Sequence, residues 1–448
     1  MASSEFLSPE EVQKQIKAIS EAAATYDPGK AAHDFVGRTK IISQARELID
    51  SLTDPDDLPL VHIGQAMDLV ALRSLMHIGV FAQIPSQGSI SLSSLSQATK
   101  AEESLLERLL RILVCVGFVR QLENGEYAHT RLSRTYAVMP GPGMYFQFIY
   151  DEAGFVLSNF HRYLQEKGYK EPDDQRYSPY TWRAGQEGKT VWEVMAQQPE
   201  RLQAFQAGIA ASSTGIPLTR FYDFSKLKTE DDRPVLVDIG GGNGQSILRI
   251  MEAHPDIPAN RFILQELKEP AEVAKGVLPQ GVVIMEHDFF GPQPVKGESK
   301  SQCCFTRDEV HSMSDMNWGR HIFHTYRCAD PLDGNLHCPP TGAKAYMLRR
   351  VLHDYSDAVC IDILKQIVPA MASDSVVLIA DFVFPDAPSP ADLPIAAIDL
   401  VVMNMGGKER SEQGFKKILQ AAGLEFIATY RSEAGFGAFI EARRANTT

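Results

Sequence analysis

The chain has 448 residues, 44% hydrophobic and 23% charged, enough to bury a full core and to form two or three domains. Its formal charge of −13 repels phosphate backbones and speaks against nucleic acid as a partner. The start, Met1-Ala2-Ser3-Ser4-Glu5, has no basic stretch leading into an apolar one, and no run approaches the ~20 apolar residues of a membrane helix; we expect a cytoplasmic protein with no membrane association. Nor do the six cysteines suggest a secreted disulfide framework, because Cys303, Cys304, Cys328 and Cys338 sit together while Cys115 and Cys360 lie in apolar surroundings.

In chain order, Val12, Ile16 and Ile19 at helical spacing predict a helix over 9–24, and a second pattern runs over 41–52 until Asp54-Pro55-Asp56-Asp57 breaks it. Residues 1–58 thus form a helical preamble. Over 59–140 the text predicts helices at 66–76, 91–99 and 104–116, then a hairpin, 118–122 and 126–129, around Glu123-Asn124-Gly125. Three helices and a hairpin make a winged helix. Between residues 62 and 136, seven Lys or Arg face six Asp or Glu, which is no electrostatic footprint for DNA and favours protein contact. After Pro140-Gly141-Pro142-Gly143, residues 141–220 form a helical connector rich in aromatics. Most of these rings pack the core, but Phe148, Trp182, Met195 and Phe205 are candidates to wall a flat, apolar substrate.

From 221 onward the pattern becomes α/β. Val235-Leu236-Val237-Asp238-Ile239 has the apolar density of a parallel-sheet strand, and Gly240-Gly241-Gly242-Asn243-Gly244 follows directly, with a helix over 245–253. The glycines permit a sharp turn and a close approach to a ligand at the strand's C-terminal edge. This D-x-G-G-G-x-G spacing differs from the dinucleotide G-x-G-x-x-G, and Asp238 suits a cationic amino-acid end. A second strand, 261–265, ends at Glu266, 22 residues after Gly244, where an acid can take two ribose hydroxyls. A third, 282–285, runs toward Asp288, a partner for an adenine amino group, and Phe289, a face for its ring.

In this order the features resemble the class I S-adenosylmethionine methyltransferases, specifically the small-molecule O-methyltransferases of plant caffeic-acid type and their fungal secondary-metabolism relatives. The resemblance covers most of the chain from about residue 60, apart from 298–342. It implies a Rossmann-like methyltransferase domain over 221–448 with a mostly parallel seven-stranded sheet, an N-terminal winged-helix dimerisation domain, and a homodimer. It also implies S-adenosyl-L-methionine as cofactor, contacted by Gly240, Gly241, Glu266, Asp288, Phe289 and Arg349, with Asp238, Gly242 and Gly244 completing the loop. Glu266 and Arg349 stand where the family usually has Asp and Lys, so the charges are kept.

After a predicted strand at 345–348, Arg349-Arg350-Val351-Leu352-His353-Asp354-Tyr355-Ser356-Asp357 matches the family's His-Asp-(Trp/Tyr)-Ser-Asp motif. Methyl transfer from a sulfonium needs little acid catalysis, because the leaving thioether is neutral, but the attacking hydroxyl must lose its proton. His353 is the expected base. A phenol has a pKa of about 10 against ~6.5 for imidazole, so proton removal is coupled to attack and helped by carboxylates that hold the ring. Asp381, where the family more often has Glu, and Glu409 in Gly406-Gly407-Lys408-Glu409-Arg410 match those acids, and Asp354 is expected at the substrate. The predicted activity is methylation of a phenolic hydroxyl on an aromatic small molecule, without a metal. The competing reading is a binding or regulatory protein that keeps the fold but not the transfer; intact His353, Asp354 and Glu409 oppose it.

One stretch departs from this pattern. Over 298–342 the alternation of strand and helix collapses, just before the strand that leads to His353. Cys303, Cys304, His321, His324, Cys328 and Cys338 suggest a metal site, but their spacing fits no standard zinc module; a substrate lid is a second option. A translated intron fits best: Gly297-Glu298-Ser299 can encode a splice donor and Thr341-Gly342 an acceptor, and removing the 45 codons restores uninterrupted Pro-Val-Lys-Gly-Ala-Lys-Ala-Tyr-Met-Leu.

Overall fold

The computed structural model describes residues 7–27, 35–137, 141–198, 201, 208, 218, 222–296, 342–432 and 436–445. Phe205, and the 297–341 stretch with Cys303, Cys304, His321, His324, Cys328 and Cys338, lie outside the described residues.

The preamble forms the helices Pro9–Ala24 and Phe35–Leu52. The first opens on a capping box, in which Ser8 accepts from the Glu11 backbone and the Glu11 carboxylate accepts from the Ser8 backbone in return. The winged helix follows: Leu58–Ile78, Leu92–Thr99 and Glu103–Cys115, then the antiparallel pair β1 (Val119–Gln121) and β2 (Tyr127–His129). Leu75, Leu95, Leu106, Leu110, Leu113, Val119 and Tyr127 form its core. The helix Leu58–Ile78 starts eight residues before its predicted onset, because its first half is apolar on every side and shows no single-face period to read. Leu60 is 73% and Ile63 52% exposed there. Among the described residues, no helix is long and apolar enough to cross a membrane.

The second core belongs to a sheet of β3 (Leu236–Ile239), β4 (Phe262–Glu266), β5 (Val283–Glu286), β6 (Ala345–Arg349), β7 (Val376–Phe384), β9 (Leu424–Arg431) and β10 (Gly437–Arg444). The order is β5-β4-β3-β6-β7-β10-β9, with the two-residue β8 (Arg410–Ser411) beside the end of β7. Strands β3 to β7 run parallel, and the C-terminal hairpin β9–β10 closes the sheet antiparallel. Side chains alternate between two buried faces: Val237, Ile239, Tyr346 and Leu348 enter one core cluster, and Leu236, Ala345 and Met347 the other. Burying each large aliphatic among these contributes roughly 1.5–3 kcal/mol.

Strand order reverses between β3 and β6, which pair in register at Ile239 and Leu348. A topological switch point opens a crevice beyond the strand ends, here between the glycine loop after β3 and the turn after β6.

The flanks of the 297–341 stretch meet at one hydroxyl. Tyr346 Oη donates to the Val295 carbonyl at 2.6 Å and accepts from the Ala343 amide at 3.2 Å, so the two backbone groups cannot lie farther apart than those distances together. Both residues are fully buried in the same core. Lys296 and Gly297 supply three peptide links to Ala343, a reach of about 10 Å. A chain lacking residues 298–342 is therefore expected to fold with a melting temperature no more than about 4 °C below that of the full chain, measured by calorimetry; a shortened chain that stays unfolded would count the segment as part of the core.

Candidate active site

The glycine loop is built for close approach. Gly240, Gly242 and Gly244 all have positive φ, and a Cβ on Gly241 would lie 2.4 Å from Asp238 Oδ2 and 2.6 Å from Leu264. Asp238 is fully buried directly under that glycine, and neither carboxylate oxygen has a hydrogen-bond partner among the described residues. Burial pushes its pKa up to about 7, with Arg349 pulling the other way. Glu266, at the end of β4, accepts from the Gly242 amide at 3.0 Å and from its neighbour Leu267 at 2.7 Å. Phe289 lies against Gly240, within 3.5 Å of where a Cβ would be, and Asp288 is exposed beside it, accepting from the Phe290 amide. Arg349 is mostly buried near Asp238 and reaches Ser246 Oγ at 3.5 Å. The glycine loop, Asp238 beneath it, Glu266, Phe289 and Arg349 thus gather at the C-terminal ends of β3, β4 and β6, with Asp288 exposed next to Phe289.

The turn after β6 carries the second group. His353 is 8% exposed; its Nδ1 lies 3.2 Å from Glu409 Oε1, without hydrogen-bond alignment, and its Nε2 lies 3.3 Å from Asp354 Oδ1. Asp354 is therefore beside the imidazole. Arg350 donates to the same Glu409 oxygen at 2.9 Å and comes within 3.9 Å of Asp381. Asp381 is fully buried, and neither of its oxygens has a hydrogen-bond partner among the described residues. Burial raises its pKa, offset in part by His353 and Arg350. For Glu409 the balance is reversed: burial opposes the charge, but Arg350 and His353 together hold the carboxyl below its ordinary range. Burial and Arg350 also oppose the imidazolium, yet Asp354 and Glu409 outweigh them and His353 sits above the usual imidazole value.

Two family models match the chain, an O-methyltransferase dimerisation domain at residues 60–139 and an O-methyltransferase domain at 332–425. Methyltransferase cfoD of Aspergillus candidus is 30% identical over 92% of this chain and 93% of its own length. O-methyltransferase desB of Aspergillus desertorum is 27% identical over 96% of this chain and 97% of its own. The solved structure of LepI in complex with S-adenosylmethionine (SAM) is 25% identical, with a TM-score of 0.76 over 98% of this chain and all of that one. The chain belongs to the O-methyltransferase family. It is an S-adenosylmethionine-dependent enzyme with the α/β methyltransferase fold.

Behind His353 of this O-methyltransferase stands a residue that sequence reading passed over. Arg410 is 2% exposed; it donates to Asp357 at 2.7 Å and to the carbonyls of Leu352 (2.9 Å), Tyr355 (2.7 Å) and Lys408 (3.1 Å). Lys408 N donates to the His353 carbonyl at 2.7 Å, and a Cβ on Gly407 would lie 2.3 Å from that same oxygen. The connector docks here as well: Gln175 donates to the Asp354 carbonyl, Tyr180 N to Asn404, and Trp192 bonds the Tyr355 hydroxyl.

Of the expected substrate walls, Met195 is buried with Tyr180 and Val194 and with Met405 from outside the connector, Phe148 is buried close to Gly208, and Trp182 stacks edge-on against Tyr163 while bonding Glu166. Tyr355, packed on Phe289 and Phe290, is a further aromatic residue beside the glycine loop. Its place in the motif was the only available signal.

Gly241→Ala is expected to weaken SAM binding at least about 10-fold in calorimetric titration, because its methyl group displaces the Asp238 carboxylate. Arg410→Met is expected to destabilise the fold by about 3 kcal/mol in urea unfolding, leaving buried carbonyls without a donor.

Proposed function

We propose that the enzyme methylates a phenolic hydroxyl of an aromatic small molecule with His353 as general base, acting as a homodimer. The observation that carries this reading is a buried histidine held between two carboxylates at the crevice where the cofactor loop also opens. Dimerisation is supported by the matched domain and by the exposed apolar face of Leu58–Ile78.

Asp238, Gly240, Gly241, Gly242, Gly244, Glu266, Asp288, Phe289 and Arg349 are the residues proposed to hold the cofactor. The fit lies in their chemistry: an incoming ammonium satisfies an Asp238 carboxylate that otherwise has no partner, and Gly241 leaves room above it. Bound SAM supplies an electrophilic methyl group on a sulfonium. The protein's part is to orient the acceptor and remove one proton. Nε2 of His353 is the nitrogen open to that proton, because Nδ1 faces the fully buried Glu409. Glu409 and Asp381 then lie beside the imidazolium and stabilise the charge it acquires. Tyr355, Phe289 and Phe290 offer aromatic faces suited to a flat acceptor.

Because the His353 pKa is raised, the base is protonated and idle below it. Methyl transfer is therefore expected to climb with pH through a midpoint above the ordinary ~6.5 and to plateau beyond. His353→Gln should cut turnover by about 10²–10⁴-fold while SAM affinity stays near the wild-type value. A variant that keeps most of its turnover against a panel of phenols would exclude His353 as the base.

A further inference from the structure

Arg350 was read only as part of a motif, yet its backbone and its side chain are both committed to the base. It has φ +55°, a left-handed conformation that a residue with a Cβ holds only where its surroundings impose it. Its amide donates to the Ala380 carbonyl on β7 at 3.1 Å, tying the turn to the next strand. The conformation sends the guanidinium over the Phe382 ring at 4.3 Å and onto Glu409 Oε1 at 2.9 Å. That is the oxygen His353 approaches at 3.2 Å.

The charges around this point explain why a second cation is present. Glu409, Asp381 and Asp354 all face His353, and with no other cation among them a buried imidazole would be drawn into the permanently charged form. Neither neighbouring arginine fills that place. Arg410 and Arg349 both act on Asp381 only at longer range, the donors of Arg410 being turned to Asp357 and three carbonyls and Arg349 lying nearest Asp238 and Ser246. The half-buried phenol of Tyr145, from the helix Pro142–Ile149, faces Arg350 and Glu409 from the connector side and carries no charge of its own at neutral pH. Among the described residues, Arg350 is thus the full cation within 4 Å of both Glu409 and Asp381.

We propose that Arg350 is a positioning residue that claims the Glu409 carboxylate for itself, so that the His353 imidazole stays free to accept a substrate proton. This rests on the reading of His353 as the base, but it is tested without turnover. The test is to titrate the full-length enzyme, saturated with S-adenosylhomocysteine and labelled at histidine Cε1, by carbon-13 NMR, assigning the His353 signal by its loss in H353Q. In Arg350→Met the His353 midpoint should rise by about one pH unit, because a repelling charge has gone and the acids remain. In Arg350→Lys, which keeps the charge, it should stay close to wild type. An unmoved or lowered midpoint in R350M would overturn the proposal; so would a rise in R350K as large as in R350M, since charge would then not be the cause. Melting temperature and S-adenosylhomocysteine affinity report whether each variant is folded, and R350K remains a test if R350M is not. Retained turnover in H353Q sinks the base assignment instead, a result distinct from any of these.

Discussion

The guanidinium of Arg410 is almost wholly removed from water, and each of its bonds runs to a part of the turn after β6 or of the segment leading into β8. Burying that charge is tolerable only with its donors satisfied, so the turn and the segment behave as one body. His353 lies between Leu352 and Tyr355, whose carbonyls the fork grips, and Glu409 directly precedes Arg410. One buried cation therefore sets the separation of His353 and Glu409. The approach is close enough to require glycine at 407, where any side chain would strike the His353 carbonyl.

Around this frame the enzyme accepts local costs that a purely structural design would avoid. Asp238 and Asp381 are both buried carboxylates without hydrogen-bond partners among the described residues, one beneath the glycine loop and one near Arg350 and His353. In each, burial raises the pKa above the ordinary range, so each is ready to take a partner that brings a proton or a positive charge. Arg350 adds backbone strain to the same place. Strain and buried carboxylates cluster at the β3–β6 crevice, while the two faces of the sheet are packed with ordinary aliphatic side chains.

The flanks of the 297–341 stretch join this picture through Tyr346. Its hydroxyl closes the gap between Val295 and Ala343 on the same core face that supports β6, so the strand leading to His353 is anchored on described residues alone. Continuity of the core across that point matters for the site, because β6 delivers Arg349, Arg350 and the turn that carries His353 in succession.

How far these features could be read beforehand differs for local and distant ones. The strands beside the glycine loop, the loop itself, the order of acids after β4 and β5, and the His-Asp-Tyr-Ser-Asp motif are written in short stretches, because glycine conformation, period-two burial and adjacent motif residues are local properties. The sequence by itself thus determined an α/β chain with a cofactor loop and a candidate base. It could not determine that Arg350 and His353 converge on one oxygen of Glu409, that Arg410 is buried, or that Met195 shares a core with Met405 and Tyr355 packs on Phe289. Those outcomes depend on groups more than fifty positions apart, brought together by strand order and by the docking of the connector onto residues 404–408. Only the tertiary structure decided them, because a charge or a ring takes its role from what the fold places beside it.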